Sequence, residues 1–219
     1  LIADELIARD VDHRTVEAWH TDEWPEAKDL AALVVMGGTM NVDALEAYPF
    51  LDQSRRLMAA AIDAEIPTLG VCLGSQMMAR VLGAEVFRAE PRNAMFSGLK
   101  LTDVGVDDPI VSPFASGLPV LQFHEDTFEV PPDAIPLATS DASGTLQAFR
   151  FGDTAYAIQF HFEVDEPILA GWIDDIGPAV LESDWDVSGP DLRALASRHI
   201  PGQSAAGREL VGRFLDLTV

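Results

Sequence analysis

Ile66-Pro67-Thr68-Leu69-Gly70-Val71-Cys72-Leu73-Gly74-Ser75-Gln76 runs from an apolar segment, through a glycine on either side of a cysteine, into the helix-like Met77-Met78-Ala79-Arg80-Val81-Leu82. A strand that turns sharply into a helix with a nucleophile at the bend presents that side chain at the top of an α/β sheet. Cys72 stands at this bend and is the only cysteine of the chain. A thiol at a helix N-terminus faces unpaired backbone N–H groups, which favour thiolate. The amide that follows it, here that of Leu73, points to where an oxyanion forms on an attacked carbonyl. Without such surroundings a lone cysteine is by default a small buried hydrophobe. The strand–Gly-x-Cys-x-Gly–helix setting favours the nucleophile.

Working outward, Leu30 to Met36 is a continuous apolar run ending at Gly37-Gly38, the pattern of a buried parallel strand entering a tight loop that can supply a second oxyanion donor. Phe50 to Ala64 has helical spacing, Pro67 to Val71 reads as the next buried strand, and the helix after Cys72 closes at Gly83. This alternation up to Val86 predicts a parallel sheet with helices on its faces. Upstream, Leu1 to Arg9 reads as an amphipathic helix and Thr15 to Trp19 alternates like a short strand. The chain opens without methionine and directly on a helix, so a first strand is expected upstream of residue 1.

From Phe96 the texture changes. Strand-like pieces at Gly98–Thr102, Val120–Phe123, Pro136–Ser140, Leu146–Phe151 and Ala155–Phe160 alternate with Pro, Gly and Asp turns, predicting a mixed or antiparallel addition to the sheet. Helical patterns return at Asp165–Ile176, Asp191–Ser197 and Ala205–Leu217. No long linker divides the chain, so residues 1–219 are expected to form one domain, with 165–219 as its C-terminal helical part.

A thiol nucleophile needs a general base and a group that orients it. Of the five histidines, His161 ends the apolar strand Tyr156-Ala157-Ile158-Gln159-Phe160 and precedes Glu163 by two residues. Side chains at i and i+2 of a strand face the same way, so Glu163 can hold the imidazole. His124, in Leu121-Gln122-Phe123-His124-Glu125-Asp126, reads as a residue on a loop after a strand, either solvated or in contact with substrate. Metal sites need several converging ligands at matched spacing; Cys72, His124 and His161 show no such spacing, and neither metal nor cofactor is expected.

The chain has 219 residues, 48% hydrophobic and 23% charged, with a formal net charge of −22. Such an acidic surface repels nucleic acid and anionic membranes. One cysteine forms no internal disulfide, and no apolar run approaches a membrane span of roughly 18–20 residues. A cytoplasmic protein is expected.

With Gly70-Val71-Cys72-Leu73-Gly74-Ser75-Gln76 and Gln159-Phe160-His161-Phe162-Glu163, the chain resembles the class I glutamine amidotransferases, and among them the free-standing domains related to the amidotransferase portion of GMP synthase. Val34 to Gly38 is similar to the family's oxyanion-loop strand, His124-Glu125-Asp126 to its His-x-Asp loop, and Gln147 to Arg150 and Ala206 to Leu210 to further segments of that subgroup. The resemblance implies a flavodoxin-like three-layer sandwich with a mostly parallel sheet and a Cys72–His161–Glu163 triad. It implies that Cys72 attacks the side-chain amide of glutamine, that the amides of Gly38 and Leu73 hold the oxyanion, and that Gly37, Gln76 and His124 contact the substrate. Ammonia is then released, with a separate synthase chain as the possible acceptor's host.

The sequence departs from that pattern at three places. Phe162 stands where the family has proline, Glu125 where it commonly has glycine, and Arg92 to Gly98 where a Glu-Ile-Gly-like motif lies near the glutamine pocket, with Glu90 close by. The last departure motivates a second reading, a hydrolase of another γ-glutamyl amide or peptide. A third is a catalytically silent binding or regulatory module of the same fold.

Overall fold

The protein is described by a computed structural model covering residues 1–219 except Asp22, Ala115, Ser116 and Val219; of Glu90, Pro91 and Asn93 the backbone alone is described. The central sheet pairs β1 (Leu33–Val35), β2 (Thr68–Val71), β8 (Ala155–Ile158), β7 (Leu146–Phe151), β6 (Ile135–Ser140) and β4 (Leu99–Leu101) in that spatial order. β1, β2 and β8 run parallel, and β7, β6 and β4 continue the sheet antiparallel. β3 (Val86–Ser97) and β5 (Val120–Phe128) form a separate antiparallel arm.

Strand alternation sorts the side chains into two cores. Leu33, Val35, Ala155 and Ala157 face α2 (Phe50–Asp63) and α3 (Leu73–Val81), meeting Met58, Ile62, Met77 and Met78. Val34, Leu69, Val71, Tyr156 and Ile158 face the opposite layer, where α1 (Ile2–Ala8) and the second half of α7 (Gly189–Leu215) bring Leu6, Leu210, Val211 and Phe214. The result is the flavodoxin-like sandwich of helix, mixed sheet and helix. A third apolar cluster joins the arm, through Leu121, Phe123 and Phe96, to α5 (Glu166–Ile176), α6 (Pro178–Trp185) and the first half of α7. A five-residue helix, α4 (Asp103–Asp107), follows β4. Among the described residues no helix is long and apolar enough to cross a membrane.

Several expectations need correction. Thr15 to Trp19 is not a strand; alternation yields a strand only where a sheet edge receives it, and Trp19 instead lies 62% exposed. The strand expected at Val120–Phe123 continues to Phe128, because the unforeseen β3 pairs with its whole length. The two expected C-terminal helices are one. Pro201 lies inside α7 and removes an internal hydrogen bond, but the apolar stripe Ala196, Ile200, Gly207, Leu210, Phe214 is buried across that point and keeps the helix continuous.

The helix after Cys72 lies hard against the strands beside it. A Cβ added to Gly74 would sit 2.0 Å from the Val35 carbonyl oxygen, and one added to Gly70 would sit 2.4 Å from that of Gly74. These are backbone atoms with nowhere to move. We predict that Gly74→Ala lowers stability by about 3 kcal/mol, read as a fall in the urea midpoint, whereas Gly171→Ala, which meets nothing within 4 Å in α5, does not destabilise.

Candidate active site

Cys72 leaves the sheet while still bound to it. Its N–H donates to the Ile158 carbonyl at 2.8 Å, continuing the β2–β8 ladder by one residue. The chain then reverses through φ 50° and ψ −107°, and Cys72 becomes the N-cap of α3. A side chain at positive φ costs of order 1–3 kcal/mol and persists only when its surroundings enforce it. The enforcement is visible at the Cys72 carbonyl, which accepts from Ser75 N (2.9 Å), Gln76 N (3.1 Å) and Ser75 Oγ (2.6 Å).

His161 and Glu163 lie just beyond the end of β8, in a bend segment rather than in a strand. Strand alternation is therefore not what brings them together. The segment changes partner as it leaves the sheet: Gln159 N donates to Gln147 O of β7, and His161 N to Leu121 O of β5, both at 2.8 Å. The turn that results sets His161 Nδ1 2.8 Å from Glu163 Oε1. Phe162, between them, is fully buried in the main core, so apolar burial holds this turn where the family uses proline.

Nδ1 being committed to Glu163, the remaining ring nitrogen is the one available to Cys72. Burial by itself pulls the His161 pKa down; the Glu163 carboxylate and the Cys72 sulfur outweigh it and hold the imidazole well above its ordinary value. Gly37 fits against both residues. A Cβ there would meet His161 Cε1 at 3.2 Å and Cys72 Cβ at 3.3 Å, while one at Gly38 would meet Leu73 Cδ2 at 2.9 Å. Gly37, Gly38, Cys72, Leu73, His161 and Glu163 thus converge. A thiol, an imidazole and a carboxylate in this order can move a proton from sulfur to a departing group.

His124 lies elsewhere than expected, while Gln76 stands in the first turn of α3 as the sequence places it. His124 is in the middle of β5, not on a loop, because β3 pairs on through it. Both side chains are buried, and their bonds run to protein atoms. His124 Nδ1 donates to the Asp126 carbonyl (3.0 Å), which leaves Nε2 to accept from Gln147 Nε2 at 3.4 Å. Gln76 Nε2 donates to the Asp126 carbonyl (3.1 Å) and to Gln159 Oε1 (3.3 Å). Burial, aided by the charge of His161, pushes the His124 pKa down to about 4 despite the Asp126 carbonyl. His124 is neutral beside a charged His161.

Glu125 does not have the positive φ that a glycine would supply. It sits in β5 opposite a bulge, where the β3 register jumps from Arg88 to Asn93. Its carboxylate pairs with Arg88 (2.7 Å) and Arg92 (3.1 Å). Arg92 also reaches Asp184 of α6 at 3.4 Å and lies 5.6 Å over the Trp185 ring. Arg92 is therefore a strut between the arm and α6. The side chain of Glu90 lies outside the described residues.

Two functional neighbours carry no clear signal in the sequence. Gln203 of α7 accepts from Leu121 N (2.7 Å) and donates to the Val164 carbonyl (3.4 Å), bracketing the His161–Glu163 turn on both sides. Its one signal is a glutamine on the apolar stripe of α7, hidden because Pro201-Gly202 reads as a break. Trp172 of α5 meets the His161 ring with centroids 5.0 Å apart and planes at 74°.

A thiol on a strained strand-to-helix elbow, with an imidazole–carboxylate pair beside it, places the molecule among α/β proteins built around a nucleophile at the end of a sheet. Comparison narrows this. Residues 1–167 match the family Glutamine amidotransferase class-I, and the chain belongs to that family. It is 30% identical over 152 residues to the glutamine amidotransferase-like protein YfeJ of Salmonella typhimurium, covering 68% of this chain and 63% of that one. It is 29% identical to the glutamine-hydrolyzing GMP synthase of Mycobacterium leprae, covering 95% of this chain and 39% of that one. One subunit of the glutamine-hydrolyzing GMP synthase from Saccharolobus solfataricus is 35% identical over 46% of this chain and 52% of its own length. The match thus spans well under two thirds of both GMP synthase relatives and just under two thirds of the first protein. A solved glutamine amidotransferase from Thermotoga maritima superposes with a TM-score of 0.86 at 29% identity, covering 98% of this chain and 91% of that one.

Two stability measurements test this arrangement. His124 is depressed on folding, so the unfolded chain binds the extra proton and stability falls as pH drops from the ordinary histidine value toward about 4. Replacing it with asparagine removes that loss: between about pH 7 and pH 5 the native chain should lose about 2 kcal/mol more than His124→Asn, by urea denaturation at each pH. Gln203→Leu strips partners from the Leu121 N–H and the Val164 carbonyl and should cost about 2 kcal/mol, read as a fall in the urea midpoint.

Proposed function

We propose that the chain is a cysteine-dependent amidohydrolase of the glutamine amidotransferase type, acting on glutamine through Cys72, His161 and Glu163. The observation that carries the reading is His161, buried between Cys72 and a carboxylate 2.8 Å from its Nδ1. Cys72 Sγ attacks the side-chain amide carbon, and negative charge develops on the carbonyl oxygen. The backbone N–H groups of Gly38 and Leu73 stabilise that charge. The C–N bond then breaks as His161 gives its proton to the nitrogen, which leaves as ammonia. The glutamyl thioester on Cys72 is attacked by water whose proton returns to His161, releasing glutamate and the free thiol. Glu163 keeps the imidazole oriented and stabilises its charged form throughout.

Gln76 and His124 support this site from behind. Their buried bonds hold α3, β5 and the end of β8 in one layer, and neutral His124 spares His161 a like-charge neighbour. The 219 residues act as one domain, since α1 and α7 bury against the same sheet face that Leu69 and Ile158 line. By analogy with the Saccharolobus solfataricus GMP synthase subunit that it resembles, a separate synthase chain in the cytoplasm is the proposed acceptor's host; the acidic surface argues against nucleic acid or membrane as partner. A second reading, hydrolysis of a substituted γ-glutamyl amide, is favoured by one feature: Arg92, in place of the family's acid, is paired with two carboxylates. A silent binding module would have no need of the strained Cys72 elbow.

Ammonia release from glutamine by the isolated chain is the test. Cys72→Ala and His161→Ala should each lower kcat at least about 10³-fold, Cys72→Ala with little change in stability, and Glu163→Gln should fall less far. Undiminished turnover in Cys72→Ala would end the nucleophile assignment.

A further inference from the structure

Three aromatic side chains lead outward from His161, and the chemistry above uses none of them. Trp172 lies against the His161 ring. Phe123 of β5 meets Trp172 at 5.6 Å and stacks on Trp185 of α6 at 5.0 Å and 29°. Arg92 closes the far end above Trp185. Trp172, Phe123 and Trp185 are each only partly buried and pack on the third apolar cluster, so the row is a wall at the edge of that core.

The perimeter of His161 fixes what this wall can touch. Nδ1 is taken by Glu163, Cε1 lies against Gly37, and the second nitrogen faces Cys72. Trp172 occupies part of what is left. During acyl transfer the leaving nitrogen must come within hydrogen-bond reach of the imidazole nitrogen that protonates it. In glutamine that nitrogen carries only hydrogens, and nothing extends to the wall. A carbon substituent on the same nitrogen would have to pass the imidazole, and Trp172 is the ring that lies against it.

Charge narrows the substituent further. Arg92, the cation at the wall, is neutralised by Glu125 and Asp184, and the chain carries a formal charge of −22. A carboxylate on the substituent, as in a γ-glutamyl amino acid, would meet a cation already paired and an unfavourable field. A neutral ring would gain stacking and burial.

We propose that Trp172, backed by Phe123 and Trp185, is a specificity surface for an uncharged aromatic group on the amide nitrogen, making γ-glutamyl amides of arylalkyl amines the preferred substrates. The proposal rests on the thiol-amidase reading and deepens it. The step is unchanged except for the leaving group: Cys72 forms the thioester, the C–N bond breaks, the His161 proton goes to the nitrogen, and a primary amine departs in place of ammonia. Water then yields glutamate.

The experiment measures glutamate release by the native chain from glutamine, γ-glutamylalanine and γ-glutamylbenzylamide. The expected result is a kcat/KM for the benzylamide at least about tenfold above that for glutamine, the range a well-fitted apolar group supplies, with γ-glutamylalanine lowest. In Trp172→Leu, and independently in Trp185→Ala one ring further out, the benzylamide-to-glutamine ratio should drop at least about fivefold. A merely structural role would lower both substrates together and leave the ratio intact. A benzylamide no better than glutamine, or a ratio unchanged in a folded variant, overturns the specificity surface while glutamine turnover still stands. No glutamate from any of the three overturns the amidase reading itself.

Discussion

The left-handed turn at Cys72 is the constraint around which the molecule is arranged. A side chain there is held against its own backbone preference, at φ 50°, and three donors on one carbonyl oxygen, together with the last rung of the β2–β8 ladder, keep it so. Two glycines make the geometry possible by a different means. Neither has positive φ; both are places where helix and strand backbones touch. Strain of about 1–3 kcal/mol is small beside the burial of both faces of β2, all of whose residues are buried. The sheet core offsets it, and the thiol is delivered to the end of the sheet where β1, its glycine loop and the segment after β8 also arrive.

Around that turn the polar groups are divided by charge state. His161 is placed to be charged, between an acid and a sulfur, and His124 is placed to be neutral, in a buried layer of glutamine side chains. The two histidines differ little in exposure, at 4% and 3%, so burial does not distinguish them. Partners do: a carboxylate on one side, a backbone carbonyl and an amide on the other. A second cation at His124 would lower the pKa of His161 and weaken its hold on a proton, so the layer beneath the site protects the electrostatics above it.

The β3–β5 arm and the helices α5 and α6 close the remaining side. Glu125 and Arg92 look anomalous against the family pattern, yet they answer one another across the bulge and tie the arm to α6 through Asp184. Phe162 likewise replaces a backbone restraint with buried apolar contact. These departures leave the thiol, imidazole and carboxylate in place and alter what surrounds them.

The local order of the chain determines the elbow, the strands leading to it and the choice of His161 over four other histidines, because each rests on contiguous signals: apolar runs, glycine spacing, a carboxylate two residues away. Phe50–Asp63 and Leu73–Val81 are legible for the same reason. What tertiary structure alone decided involves partners far apart in sequence. β3 is hidden in the sequence because Pro91 and a bulge interrupt its alternation, and it exists because β5 lies alongside. α7 runs through Pro201 because its apolar face is buried on both sides of the proline. The pairing of His161 with Glu163, which strand alternation suggests, comes instead from a turn beyond the strand, pinned by Leu121 and by Gln203 from a distant helix. Sequence singled out Cys72, His161 and Glu163, since each stands in a contiguous local motif. Their orientation, their charge states and the wall beside them depend on backbone hydrogen bonds and packing that only the folded chain brings together.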